Sequence, residues 1–164
     1  QKLFNTISEL IEKYSLSPEY IELEITEAAL MEQTGHMIST MKKFKDLGFE
    51  FAIDDFGTGY SSLTYLSKFP VDTLKIDMSF ISGMEFSESK QSIVKTVIDL
   101  AKNLGHHVVA EGVETRSQFD ILEEMGCDTI QGYLFSRPLM ADDAERFMRK
   151  INSDNIFPIF KNIN

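Results

Sequence analysis

The chain has 164 residues and a net charge of −10 at neutral pH, with 43% hydrophobic and 26% charged residues. This is an ordinary globular composition, in a chain long enough for one domain with a sizeable core. The acidic balance argues against a nucleic-acid polymer as a partner, because such binding depends on Lys and Arg that neutralise phosphates. No apolar run approaches the roughly 20 residues of a membrane-spanning helix, so we expect no membrane contact by this segment.

The number of cysteines indicates whether the protein works in a reducing or an oxidising cellular compartment. Cys127 is the single cysteine, which excludes an intramolecular disulfide and fits a reducing compartment. We therefore expect a cytoplasmic location for this segment, even where a parent protein is anchored to a membrane elsewhere. No His-containing motif accompanies Cys127, so we do not expect it to be a catalytic nucleophile.

Hydrophobic periodicity and turn signals predict strands that alternate with helices along the whole chain. In chain order the predictions are a helix over 1–14, a strand over 20–25, a helix over 28–47, a strand over 49–54, a helix over 62–69, a strand over 71–76, a helix over 88–104, a strand over 107–110, a helix over 115–125, a strand over 127–131, a helix over 142–151 and a tail over 152–164. This alternation predicts a parallel sheet built by right-handed crossovers, as one α/β domain with about five βα units.

Each predicted strand ends in an ionisable or amide residue. These residues are Glu24, Asp54 with Asp55, Lys75, Glu111 and Gln131. The carboxyl ends of barrel strands are where catalytic groups from several strands meet. Clustered carboxylates also hold divalent cations, through which an acidic site can bind a phosphorylated small molecule.

Taken one at a time, the strand-end residues leave alternatives open. Glu24 alone is more often a solvated residue or a helix cap than a functional residue. Asp54-Asp55 fits either a metal site or an N-cap, and Lys75 needs a partner that could be a purely structural ion pair. His106 and His107 lie at a strand start, opposite the expected site, where packing or solvent exposure is the simpler explanation.

Five motifs, in order and spacing, resemble those of the EAL-domain cyclic-di-GMP phosphodiesterases. They are EITE at 24–27, DDFGTGYSS at 54–62, KID at 75–77, VAEGVE at 109–114 and QGYLFSRP at 131–138. The resemblance covers residues 1 to about 151. It implies a TIM-type (β/α)8 barrel, here a partial one, that uses two divalent cations, Mg2+ or Mn2+, to hydrolyse cyclic-di-GMP to linear pGpG, with Ca2+ inhibitory.

The resemblance also implies roles for the central strand-end residues. Glu24 and Asp54 correspond to metal ligands, and Asp55 to a residue that serves the second metal and the substrate. Glu111 corresponds to a ligand or to the base near the attacking water. Lys75 corresponds to the residue that orients this water and offsets charge. Hard oxygen ligands of this kind suit Mg2+ or Mn2+ and not Zn2+.

Further roles follow from the same resemblance. Gln131 corresponds to a residue that contacts the network of water and ligands, and Gly132 and Arg137 to substrate-binding positions. Glu27 corresponds to the anchor of the loop from Asp55 to residue 62, and Glu114 to a supporting residue.

The Glu-Ala-Leu signature that names the family does not occur in these 164 residues, and neither does the strand with the family's Asn ligand. We therefore expect the chain to be an EAL domain, residues 1–164, truncated at its N-terminus, with residues 152–164 as a tail. A chain limited to these residues is expected to hydrolyse cyclic-di-GMP poorly or not at all. Its open strand edges predict a homo-oligomer or another form of complementation.

Two other functions remain open at this level. One is a non-catalytic cyclic-di-GMP receptor or signalling scaffold, and the other is another metal-assisted barrel enzyme, such as an enolase-like lyase. In the parent protein we expect fusion to, or control by, a sensor or GGDEF-type domain.

Overall fold

The computed structural model describes residues 2–32, 34–59, 66 and 68–154. The chain divides into two compact units, Gln1–Leu134 and Phe135–Asn164. The predicted helix over 62–69, the end of the loop that leads to it and the last ten residues of the predicted tail fall largely outside the described residues.

Five parallel strands form one sheet, and each strand pairs with the next one along the chain. The strands are β1 (Glu22–Thr26), β2 (Glu50–Phe56), β3 (Thr73–Ile76), β4 (His107–Ala110) and β5 (Thr129–Ile130). Strictly sequential order with parallel pairing is the arrangement of successive βα units in a (β/α)8 barrel. The predicted fold class, a parallel α/β arrangement of about five βα units, is confirmed.

Helices connect β1 to β2, β3 to β4 and β4 to β5, as the sequence periodicity predicts. They are α1 (Lys2–Tyr14), α2 (Glu27–Glu32), α3 (Thr34–Asp46), α4 (Met78–Ile81), α5 (Glu88–Leu104), α6 (Arg116–Met125) and α7 (Ala141–Asp154). Short 3₁₀ turns occupy Pro18–Tyr20 and Met84–Phe86. The helix α7 belongs to the second compact unit.

Capping residues explain why two of the helices begin where they do. The Ser87 side chain accepts a hydrogen bond from the backbone N–H of Lys90 and starts α5. Thr115 and Gln118 form a reciprocal capping box at the start of α6. Each of these contacts satisfies backbone N–H groups that have no partner within the helix. The predicted bounds of α5 are those found in the structure.

The hydrophobic core lies between the helices and one face of the sheet. Strand β3 is central, and all four of its residues are buried. On the neighbouring strand, Phe51 packs edge-on against Phe44 of α3, with ring centroids 6.1 Å apart, and Phe44 also contacts Phe4 and Phe49. Edge-to-face geometry of this kind is favourable for aromatic pairs. The sheet is thereby fixed on its helical face, and its carboxyl ends are held in register.

Strand β2 is longer than predicted and irregular. It runs through Asp54 and Asp55 to Phe56, where the sequence predicts that the strand ends at Asp54. Its pairing with β3 shifts between Ile53 and Phe56, so that Asp54 and Asp55 together lie opposite the single residue Lys75. This is a β-bulge, and Asp55 adopts a left-handed conformation with φ of +55°. Bulges are non-local features, which the hydrophobic pattern does not show.

Other boundaries also differ from the predictions. Strand β3 begins at Thr73 instead of residue 71, and β5 comprises only two residues. The short helix α4 was not predicted, although Asp77 caps it by accepting a hydrogen bond from the N–H of Ser79. Among the described residues, no helix combines the length and apolar character required to cross a bilayer.

Candidate active site

Lys75 lies at the centre of a cluster of acidic side chains. Its Nζ is 2.6 Å from Glu24 Oε1, 2.9 Å from Glu111 Oε1 and 3.1 Å from Asp54 Oδ1. These groups come from β1, β2, β3 and the residue after β4. With Asp55 they form what we name the carboxyl-end cluster: Glu24, Asp54, Asp55, Lys75 and Glu111. Four of the five strand ends singled out in the sequence therefore meet.

Strand register explains how residues so distant in sequence come together. Side chains two residues apart on a strand share one face of the sheet. Glu22 and Glu24 do so on β1, as do Thr73 and Lys75 on β3. Accordingly, the Thr73 hydroxyl donates to Glu22 at 2.6 Å, one layer below the bond between Lys75 and Glu24. Polar groups thus line the face of the sheet opposite the helices.

The Lys75 ammonium is largely removed from water. Its side chain is 7% exposed, whereas those of Glu111 and Asp54 are 18% and 25% exposed. Burial by itself lowers the pKa of Lys75, but the interactions with the carboxylates of Glu24, Glu111 and Asp54 outweigh this and raise the pKa above its ordinary value. Lys75 is therefore a permanent positive charge in the cluster at neutral pH.

Negative charge exceeds positive charge in the carboxyl-end cluster. Four carboxylates and one ammonium leave a net charge of −3 when all are ionised. Side-chain oxygens of Asp54, Asp55 and Glu111 can all lie within 4.8 Å of one another, a spacing suited to one ion. Glu24 is not in this group of three and instead bonds to Lys75.

The bulge in β2 is what allows both aspartates to join this group. Successive residues of a regular strand point to opposite faces of the sheet, so Asp54 and Asp55 would ordinarily diverge. The extra residue and the left-handed φ of Asp55 change the direction of the chain at this point. Both carboxylates consequently lie within reach of Glu111.

Asp54 carries a polar atom that the protein leaves under-satisfied. Its Oδ1 is buried and, within the described part of the chain, has no hydrogen bond of acceptable geometry. The same atom lies 3.1 Å from Lys75 Nζ, so its compensation is an ion pair shared with two other carboxylates. A buried oxygen of this kind is costly unless a further partner is supplied. The carboxylate oxygens of Asp54, Asp55 and Glu111 are ligands that suit a hard divalent cation.

Glu27 contacts the loop that follows β2. It is 4% exposed, and its Oε2 accepts a hydrogen bond of 2.9 Å from the N–H of Gly57. A Cβ on Gly59 would lie 2.9 Å from the Oε1 of Glu27, so the loop passes directly over this carboxylate. The contact is compatible with the predicted anchoring role. Residues 60–62 of the loop lie outside the described residues.

The remaining predicted site residues lie at the margin or elsewhere. Gln131 bonds through its backbone to Ala110 and Val113, and its side chain is exposed. Glu114 is also exposed, and its N–H donates to Gln118. Among the described contacts, neither side chain bonds to the carboxyl-end cluster.

Gly132 and Arg137 follow β5. A Cβ on Gly132 would lie 2.1 Å from the carbonyl oxygen of Val113, so only glycine fits between these two backbone segments. Arg137 is an exposed residue of the second compact unit. The roles predicted for both residues in substrate binding stay predictions.

The sequence did not draw attention to α4, which lies beside the cluster. Phe80 of this helix packs against Gly57, and Met78 packs against Gly112, the residue after Glu111. A capping signal was available in the sequence, because Asp77 is a favoured N-cap residue after a strand. The packing itself has no local sequence signal.

Comparison with known proteins gives a consistent result. The family model for the EAL domain matches residues 1–138. The cyclic di-GMP phosphodiesterase NbdA of Pseudomonas aeruginosa is 42% identical over 157 residues, which cover 96% of this chain and 20% of NbdA. MucR of the same organism, a bifunctional diguanylate cyclase/cyclic di-GMP phosphodiesterase, is 36% identical over 140 residues, covering 85% of this chain and 20% of MucR.

Solved structures agree. The PaMucR phosphodiesterase in complex with c-di-GMP superposes with a TM-score of 0.83 at 36% identity, over 87% of this chain and 57% of that one. BlrP1 of Klebsiella pneumoniae, in a manganese and c-di-GMP complex, gives a TM-score of 0.75 at 35% identity, over 82% of this chain and 35% of BlrP1. A calcium complex of BlrP1 gives 0.76. The chain spans about a fifth of the length of the curated relatives described above.

Proposed function

This chain belongs to the EAL domain family, and we propose that its carboxyl-end cluster is the centre of a phosphodiesterase site that hydrolyses cyclic-di-GMP to linear pGpG with divalent cations. The observation that carries the proposal is the excess of carboxylates over the single ammonium of Lys75, together with the buried, under-satisfied Asp54 Oδ1. Membership of this family removes the enolase-like alternative.

The residues present fit such cations. Asp54, Asp55 and Glu111 offer carboxylate oxygens within a suitable distance of one another, and carboxylates are preferred by Mg2+, Mn2+ and Ca2+. The manganese and calcium complexes of the related BlrP1 support divalent cations in this chain as well. We propose Mg2+ or Mn2+ as the productive ions and Glu24 as an additional ligand once it is released from Lys75.

The chemistry divides between the cations and the side chains. When bound, two divalent cations would polarise the phosphodiester and lower the pKa of a water molecule. The Lys75 ammonium donates a hydrogen bond to Glu24 and forms ion pairs with Asp54 and Glu111, and we propose that its positive charge offsets the negative charge that accumulates on the phosphate. We propose Glu111, the least exposed of its three acidic partners, as the group that accepts a proton from the attacking water.

We assign supporting roles to the residues around the cluster. Glu27 holds the loop after β2 through the N–H of Gly57. Gln131 and Glu114 support the water network at the margin, and Gly132 and Arg137 contact the substrate. These assignments rest on matching motif positions, and each stays a prediction.

We also propose that this chain works within a larger regulatory protein. The relative MucR combines a diguanylate cyclase with a phosphodiesterase. A GGDEF-type or sensor domain in the same polypeptide, and a homo-oligomeric assembly, are the corresponding predictions here.

Metal binding and turnover by the full-length gene product test the proposed function. We expect Asp54→Asn to weaken Mn2+ binding by at least about tenfold in calorimetric titration, because it removes one anionic ligand. Asp72→Asn is the matched control. Asp72 also bonds to a lysine, but it lies at the opposite end of the sheet, so Mn2+ affinity should not change.

Turnover separates the enzyme from the receptor alternative. With Mg2+ or Mn2+, the wild type should convert cyclic-di-GMP to pGpG, and Asp54→Asn should not. Tight cyclic-di-GMP binding with no hydrolysis would identify a receptor. Undiminished Mn2+ affinity in Asp54→Asn would contradict the assignment of the site.

A further inference from the structure

We propose that Phe80 of α4 is a positioning residue that holds the loop after β2, and with it Asp55, in the geometry required for the metal site. The relevance of Phe80 to catalysis rests on the proposed function. Phe80 matches none of the roles assigned above. Its place is defined by packing against a loop and not by hydrogen bonds.

The loop is restrained on two sides at Gly57. On one side, the N–H of Gly57 donates to Glu27 Oε2 at 2.9 Å. On the other, the Phe80 ring packs so closely that a Cβ on Gly57 would lie 3.0 Å from its Cε2 and 3.3 Å from its Cζ. Gly57 has φ of +96°, which glycine adopts readily. One restraint is polar and comes from α2, and the other is apolar and comes from α4.

Asp55 needs these restraints. It lies two residues before Gly57 and has φ of +55°, a conformation that non-glycine residues adopt at an energetic cost. Such a conformation persists only where the surrounding contacts enforce it. The bond from Thr58 Oγ1 to the carbonyl of Asp55 is local to the loop and moves with it. The contacts from outside the loop that hold Gly57 therefore determine where the Asp55 carboxylate lies.

The helix α4 is a rigid base for Phe80. Asp77 caps its first turn, and Ile81 is fully buried. The Lys90 Nζ donates to the carbonyls of Ser79 and Ser82 at 2.7 and 2.6 Å, which ties the helix to α5. A ring mounted on a helix with these three contacts can restrain the loop at Gly57.

The same helix also contacts the loop that carries Glu111. A Cβ on Gly112, the next residue, would lie 2.5 Å from Met78 Cβ. Thus α4 touches the loops that follow β2 and β4, directly after the strand that carries Asp54 and Asp55 and directly after Glu111. It acts as a spacer between the two loops, and Phe80 provides the contact on the Asp55 side.

Local hydrogen exchange tests the restraint without any metal. In Phe80→Ala, we expect the amide of Gly57 to exchange about tenfold faster, because local opening of the loop becomes easier. Phe80→Leu keeps part of the contact and should give an intermediate rate. Amides of β3 and α5 should keep their rates, and chemical denaturation measures whether global stability has changed.

Phe86→Ala is the matched control. Phe86 follows α4 on the next turn and is 90% exposed, so its removal deletes the same ring from a nearby position without contact to the loop. It should leave the exchange of Gly57 unchanged. Unchanged exchange in Phe80→Ala, or equal acceleration in Phe86→Ala, would overturn the proposal.

Metal affinity links the restraint to the site. In the full-length gene product, we expect Phe80→Ala to weaken Mn2+ binding by about fivefold, with partial recovery in Phe80→Leu, because a disordered ligand must be ordered on binding. Suppose that Asp54→Asn loses Mn2+ affinity, whereas Phe80→Ala exchanges faster at Gly57 but keeps its Mn2+ affinity. This result would overturn the positioning role of Phe80. If the wild type bound no Mn2+, the proposed function would fail, while the exchange rates would still decide whether Phe80 holds the loop.

Discussion

Aspartates occupy both ends of the same parallel sheet, and their surroundings differ. At the amino ends of the strands, Asp72 accepts hydrogen bonds from Lys45 at 2.7 and 2.8 Å and from the backbone N–H of Phe51 at 2.8 Å. Asp128 accepts from the N–H of Val108 at 2.9 Å and lies 3.8 Å from a ring nitrogen of His107. We call Lys45–Asp72 and His107–Asp128 the amino-end pairs.

Each acid of the amino-end pairs has its own donors. Asp72 and Asp128 precede β3 and β5, and each accepts a hydrogen bond from a backbone N–H of the preceding strand. These carboxylates therefore link neighbouring strands. In the carboxyl-end cluster, by contrast, three carboxylates share the ammonium of Lys75. Acids therefore occur at both ends of the sheet, but among the described contacts the carboxylates outnumber their basic partner only in the carboxyl-end cluster.

Glycines at the two ends also differ in what surrounds them. A Cβ on Gly132, at the carboxyl end, would meet backbone atoms of Val113. At the amino end, a Cβ on Gly48 or Gly126 would meet only a side chain, and one on Gly105, which precedes β4, would have nothing within 4 Å. Loops at the carboxyl end are therefore packed against one another. This packing fixes the position of the side chains they carry.

The largest expected effect is that of Gly132→Ala. Its Cβ would lie 2.1 and 2.4 Å from backbone atoms of Val113, which cannot move aside, so we expect a loss of about 4 kcal/mol or more in the free energy of unfolding. Gly105→Ala should lower the free energy of unfolding by only about 1 kcal/mol, because the one penalty is the positive φ of this residue. Chemical denaturation measures both, and similar losses would contradict the contrast between the two ends.

Removing the shared ammonium should have the next largest effect. Lys75→Met leaves three carboxylates without their common partner. We therefore expect the free energy of unfolding to fall by about 2–3 kcal/mol. Lys45→Met is the control. This lysine is about one-third exposed and pairs with one acid, so the loss should stay below about 1 kcal/mol.

Metal should distinguish these two lysine variants further. Added Mn2+ should raise the melting temperature of Lys75→Met more than that of Lys45→Met, because a cation can replace the lost charge in the carboxyl-end cluster. An equal response of the two variants would show that the excess of carboxylates is unimportant.

The smallest expected effect is the pH dependence of stability that Cys127, at the amino end of β5, contributes. Burial raises the pKa of the Cys127 thiol from 9 to about 11, so the folded state favours the protonated form. The associated stability is fully present below pH 9 and is lost as pH rises towards 11, by about 2 kcal/mol at pH 10.5. Denaturation of the wild type and Cys127→Ala between pH 8 and 10.5 should show this difference in slope. Parallel slopes would indicate that the thiol ionises freely.

Local sequence signals were sufficient for much of this molecule. The bounds of α5 and β4 were predicted to the residue, because a Ser cap, a helical apolar period and a terminal glycine act over a few neighbouring residues. The same periodicity predicted a parallel sheet and therefore which residues stand at strand ends. That Glu24, Asp54, Lys75 and Glu111 share one edge followed from this without any coordinates.

Tertiary structure alone decided how those residues meet. The bulge that directs both Asp54 and Asp55 towards Glu111 depends on pairing between β2 and β3, which lie some 20 residues apart in sequence. The same holds for Phe80 of α4, whose partner Gly57 lies on the loop after β2. Register and side-chain packing are set by contacts between distant segments. The sequence determined which groups are available, and the packing of those segments determined that three acids share a single lysine.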